Sequence, residues 1–169
     1  MGRPIQVDVQ VADGVSGVPC HDDIRRWLAE AVAEDHRLGQ RAVEFSVRIV
    51  DEDEGRTLNR EYRERDRATN VLSFPLMDLA IEELPADLPL ALGDIVICEP
   101  VVRREAEEQG RDPAHHWAHL LVHGALHLLG HDHETDREAA EMEALETRIL
   151  SRRGIPDPYS EASLRQAAT

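Results

Sequence analysis

The stretch DPAHHWAHLLVHGALHLLGHDH, Asp112 to His133, decides how the rest of the chain is read. Asp112 offers a side-chain oxygen to the free N–H groups of a helix start, and Pro113 lacks an N–H where none is needed. Gly130 supplies a stop. Between them Trp117, Ala118, Leu120, Leu121, Val122, Gly124, Ala125, Leu126, Leu128 and Leu129 cover nearly the whole circumference. A helix apolar all round is a buried one, so this segment is expected at the centre of the fold.

Its polar residues are mostly histidines. His115, His119, His123, His127 and His131 recur every four residues, and each step drifts only about 40° round a helix, so neighbours share a face. His115, His116 and His119, near the helix start, read as satisfied core or surface residues, and His21 and His36 as surface. His123 and His127 read differently. Burying an unsatisfied polar group costs about 1–3 kcal/mol, whereas two imidazoles at i and i+4 can converge on one ion. Gly130 can turn the chain back to bring His131 or His133 to the same ion. His133 is preferred, because His127 to His133 has the spacing H-x-x-G-x-x-H. His131 is then a candidate for proton transfer or for supporting a ligand. Asp132 can orient a ligand imidazole or, equally, cap the next helix.

Three neutral imidazoles suit Zn2+, with other divalent transition metals competing by affinity. Three protein ligands leave a position for water, whose pKa zinc lowers to about 7. Gly124 stands where the H-E-x-x-H metallopeptidases keep a glutamate that shuttles a proton to the leaving amine. Without it the site is weak equipment for amides and better suited to phosphodiesters, where charge stabilisation and positioning dominate.

Outward from that helix the chain alternates strands and helices. Ile5, Val7, Val9 and Val11 alternate with polar residues as a half-buried strand. Ile24, Trp27, Leu28 and Ala31 recur at helical spacing, and Val43, Phe45, Val47 and Ile49 make a second strand. A short polar helix is expected over 53–63, then a brief strand in TNVLSFP stopped by Pro75. LMDLAIEELPADLPLAL, with Pro85 and Pro89, reads as a loop or flap. DIVIC, Asp94 to Cys98, is a continuous apolar run and so a central strand. Pro100 opens a helix that Gly110 closes. Thr135 and Glu138 form a capping box for the last helix, which ends near Gly154. These elements predict one α+β domain over residues 1–154, with a small mixed four-stranded sheet, packed helices and a buried metal-binding helix. Residues 155–169 are expected to form a disordered tail.

Bulk properties narrow the function. The chain of 169 residues has 41% apolar composition, a formal net charge of −15 and no lysine. No apolar run is long enough to span a membrane, and the N-terminal stretch lacks the apolar centre of a signal peptide. Cys20 and Cys98 form no C-x-x-C motif and read as reduced thiols of a cytoplasmic protein. The acidic surface argues against a general nucleic-acid coat protein, but RTLNREYRERDR, Arg56 to Arg67, carries five arginines against three acids and can supply a local basic cleft.

HGALHLLGHDH, with YRERDRATNVLSFP (Tyr62 to Pro75) and LGDIVI (Leu92 to Ile97), closely resembles the bacterial YbeY family of metal-dependent endoribonucleases, also called rRNA maturation factors. Ala68 replaces a proline common in that family before the threonine. The resemblance implies His123, His127 and His133 as zinc ligands and Arg63 as a functional arginine of the cleft. Asn70 and Ser73 are candidate cleft residues, although Asn70 can equally serve a turn and Ser73 a strand. It also implies single-stranded RNA as substrate, a role at the 3′ end of 16S rRNA of the small ribosomal subunit, and a part in ribosome quality control. Two other readings stand beside it. One is a hydrolase of another substrate, such as a peptidase recruiting a different base. The other is a non-catalytic assembly factor docking on basic ribosomal proteins.

Overall fold

The computed structural model describes residues 4–63, 69–76 and 81–159, apart from the side chains of Arg63 and Glu82. Four strands form one sheet: β1 (Ile5–Val11), β2 (Val43–Val50), β3 (Val71–Pro75) and β4 (Leu90–Cys98), in the order β1-β2-β4-β3. β1, β2 and β4 run parallel, and β3 lies antiparallel to β4 at the edge. The helices are α1 (His21–Val32), α2 (Glu52–Arg63), α3 (Glu99–Gln109), α4 (Pro113–Leu128) and α5 (Asp136–Ser151). The expected α+β fold with a mixed four-stranded sheet is what the chain adopts.

Local chemistry sets the helix ends. The Asp112 carboxylate accepts from the Ala114 N–H at 2.9 Å, and Thr135 Oγ1 accepts from the Glu138 N–H at 3.1 Å. Gly110 closes α3 in the left-handed region. Alternation does the same for the strands: Val43, Phe45, Val47 and Ile49 of β2 are buried while Glu44 and Ser46 between them are exposed.

Helix α4 is the hub. It touches α1, α3, α5, β3 and β4, and its Leu121, Val122, Ala125 and Leu126 are fully buried. Each fully buried leucine contributes about 1.5–3 kcal/mol, so the helix that carries the histidines is also the best anchored. On the opposite face of the sheet, Val50, Leu72, Val96, Cys98 and Val101 make a second, smaller core under Leu58 of α2 and Phe74.

One expectation changes. The segment read as loop from residue 76 to 92 gives its last residues to β4, which starts at Leu90. Leu90 and Leu92 are buried, and the Leu90 N–H donates to the Ala42 carbonyl at 3.0 Å, so apolar alternation carries the strand back to the proline that masked it. Of that loop, residues 77–80 lie outside the described residues. The expected tail starts at residue 155, and residues 155–159 are among those described. Ile155 is buried in the main core and its N–H donates to the Leu150 carbonyl at 3.2 Å. Residues 160–169 lie outside the described residues.

Both cysteines are free thiols: Cys20 is exposed, and Cys98 is buried, with burial pushing its thiol up to about 11. Among the described residues no helix is long and apolar enough to cross a membrane.

Candidate metal centre

His123 and His127 lie one turn apart on α4, with ring centroids 4.8 Å apart. The helix then stops. Gly130 takes φ of +100°, which a side chain would resist. The N–H groups of Gly130 and His131 donate back to the His127 and Leu126 carbonyls at 3.0 Å each. The reversed chain carries His133 to the same place, with its ring centroid 4.9 Å from that of His127 and 5.6 Å from that of His123. One nitrogen from each of the three rings lies within 4.8 Å of the others. The His133 side chain is 51% exposed and that of His123 21%, so the cluster opens to solvent on the His133 side.

A carboxylate absent from the sequence reading stands behind it. Glu146 of α5 is fully buried, and its Oε1 faces His123 Nδ1 at 2.5 Å. Burial pushes the Glu146 carboxyl up, but hydrogen bonds from His119 and His123, with the electrostatic pull of those rings, outweigh it and hold the group at about 2. An ionised carboxylate only accepts, so His123 Nδ1 donates to it, and in the neutral ring that leaves Nε2 with the lone pair. A metal-ligating histidine needs that division of roles, with a carboxylate on one nitrogen and the ion on the other. The donor set fits zinc: three imidazoles, one of them already oriented, and an open side.

Gly124 has a packing reason. A Cβ there would sit 3.0 Å from Ile95 Cγ2 and 3.2 Å from its Cδ1, so α4 approaches β4 at the glycine. That position faces the sheet, which leaves no room for a glutamate. Gly124→Val is expected to lower stability by about 1–3 kcal/mol through overpacking, seen as a lower urea midpoint at unchanged slope. An unchanged midpoint would mean that the α4–β4 contact yields without cost.

The sequence profile of endoribonuclease YbeY matches residues 12–154. The chain belongs to the YbeY family. It is 51% identical over 162 residues to the endoribonuclease YbeY of Cellvibrio japonicus, covering 96% of this chain and 87% of that one. It is 55% identical over 150 residues to that of Halorhodospira halophila, covering 86% and 91%. A solution structure from Thermotoga maritima shares the fold, with a TM-score of 0.56 and 25% identity over 93% of this chain and 97% of that one.

The other residues singled out in the YbeY-like motifs fall in different places. Arg63 ends α2, and its side chain lies outside the described residues, as do residues 64–68. Asn70 Nδ2 donates to Glu105 Oε1 at 3.1 Å, and Glu105 also holds His116 Nε2 at 2.9 Å. Burial raises the Glu105 carboxyl, but these hydrogen bonds bring it below its usual range. Asn70 therefore ties the start of β3 to α3 and α4. Ser73 is buried, and its hydroxyl reaches the Gly124 carbonyl at 3.4 Å. Asp132 Oδ1 accepts from the His133 N–H at 2.7 Å, steadying the turn that presents the third imidazole. His131 points elsewhere, lining a groove with Asp35, Arg37 and Leu129. His119, read as a satisfied core or surface residue, reaches Glu146 Oε2 at 2.9 Å.

Proposed function

We propose that this chain is a zinc-dependent endoribonuclease that cuts single-stranded segments of ribosomal RNA in the cytoplasm. Its role would lie in maturation of the 3′ end of 16S rRNA and in ribosome quality control. The observation that carries this reading is the three-imidazole cluster, open to solvent on one side and backed by the buried Glu146. Membership in a family whose relatives are named endoribonuclease YbeY supports it. His123, His127 and His133 would hold zinc, which would supply Lewis acidity and lower the pKa of a water toward neutral pH. Glu146 orients His123. Arg63, carried over from the family motif, would donate two parallel N–H groups to a phosphate beside the cluster.

Incubation with rRNA fragments and with casein separates this reading from a peptidase: RNA cleavage without peptide release is expected, and the reverse would overturn it. Gly124, pressed on Ile95, supports the first outcome. Arg63→Ala is expected to retain zinc but lose RNA turnover by about 100-fold, the size of a lost transition-state donor. An unchanged turnover rate would remove Arg63 from the mechanism.

The net charge of −15 favours an additional docking role on basic ribosomal proteins, since like charge repels bare RNA at long range. Such a partner would bring an acidic enzyme to its polyanionic substrate.

A further inference from the structure

After α5 the chain folds back over the buried end of the histidine row. Thr147 Oγ1 donates to Asp157 Oδ1 at 3.2 Å, and the same oxygen accepts the Tyr159 N–H at 2.8 Å. Arg111, between α3 and α4, donates through Nη2 to the Pro158 carbonyl at 2.5 Å. Ile155 anchors the start of this strap in the core. Held at both ends, the strap presents the Tyr159 ring edge-on to His119, with centroids 5.3 Å apart and planes at 89°.

The hydroxyl of Tyr159 then meets the carboxylate that orients His123. It donates to Glu146 Oε2 and lies 3.0 Å from His119 Nε2. Burial and the neighbouring Glu146 charge push the phenol up, so it stays protonated and remains a donor. Glu146 Oε2 thus receives Tyr159 and His119, while Oε1 receives His123. Two donors on one oxygen fix the plane of the carboxylate and aim the other oxygen at His123 Nδ1. The link from Tyr159 to the three clustered imidazoles runs through Glu146.

We propose that Tyr159 is a positioning residue of the metal centre: through Glu146 it fixes the ring orientation and tautomer of His123. This rests on reading His123, His127 and His133 as the ligands of an ion. It gives the C-terminal strap a function in metal binding beyond covering the core.

The test is Tyr159→Phe in the full chain, which keeps the ring and removes only the hydroxyl. Zinc affinity is measured by competition with a chromophoric chelator, and the His123 tautomer by side-chain 15N NMR of the metal-free protein. The zinc Kd is expected to rise about three- to tenfold, the loss of one hydrogen bond, and His123 to begin populating the Nε2–H tautomer. An unchanged Kd with an unchanged tautomer would overturn the proposal and leave Tyr159 as packing. If Tyr159→Phe does not fold, Arg111→Met releases the Pro158 carbonyl and should move both readouts in the same direction; no movement overturns the proposal equally. Wild-type protein that takes up no stoichiometric zinc would instead overturn the metal centre itself.

Discussion

His127→Ala is expected to lose zinc and RNA cleavage together while the protein stays folded. The side chain is only partly buried, at the end of a helix whose leucines and alanines supply the packing, so truncation leaves the core intact. The loss of metal is larger. Zinc sites bind with about 10 kcal/mol or more at neutral pH, and one of three ligands carries roughly a third of that. A fall in affinity of at least about 100-fold follows, enough to take metal content from about one ion per chain to near zero after dialysis. Elemental analysis and a cleavage assay on an rRNA fragment check both halves. His127→Ala protein that keeps its zinc would mean that the i, i+4 pair is not the binding element.

Glu146→Ala is expected to weaken both the fold and the site. The side chain has no solvent exposure and accepts from His119, His123 and Tyr159. Removing it strands three donors around a buried space that the carboxylate filled. Breaking such a buried charged network costs about 3–5 kcal/mol, or roughly a 6–20 °C fall in Tm for a chain of this size. Zinc affinity should drop about 10- to 100-fold, the usual effect of removing a carboxylate that orients a ligand histidine. Glu146→Gln separates the two effects. Its amide nearly preserves volume but turns a donor toward existing donors, so zinc affinity should fall even where Tm recovers. Wild-type zinc affinity in Glu146→Gln would show that His123 needs no ionised partner.

The three-imidazole cluster was legible because it is local: His123, His127, Gly130 and His133 span a single helix end, where spacing limits which side chains can meet. Helix punctuation by Asp112, Gly110 and Thr135 was legible for the same reason. Glu146 was not, because its partner is 23 residues away on another helix. A trace of it exists in the sequence, since Glu146 sits four residues after Met142 and three before Ile149, on an otherwise apolar face. A charge placed there needs a buried partner, and the histidine-rich helix is the richest source of one. Tyr159 had no such trace, because a short polar stretch after Gly154 looks the same whether it frays or straps. Leu90 was hidden by Pro89, which ends one reading of the segment just where the strand begins. Gly124 was informative twice over: its missing side chain spoke to the chemistry, and its contact with Ile95 explains why no side chain fits.

Stepwise return of zinc to chelator-stripped protein, with rRNA cleavage followed at each step, tests most directly whether an ion held by His123, His127 and His133 makes this chain an RNA-cleaving enzyme. Activity should rise in proportion to bound zinc and level off at about one ion per chain, while His127→Ala stays inactive throughout. Cleavage by the stripped protein at the reconstituted rate, after control for contaminating nucleases, would contradict it.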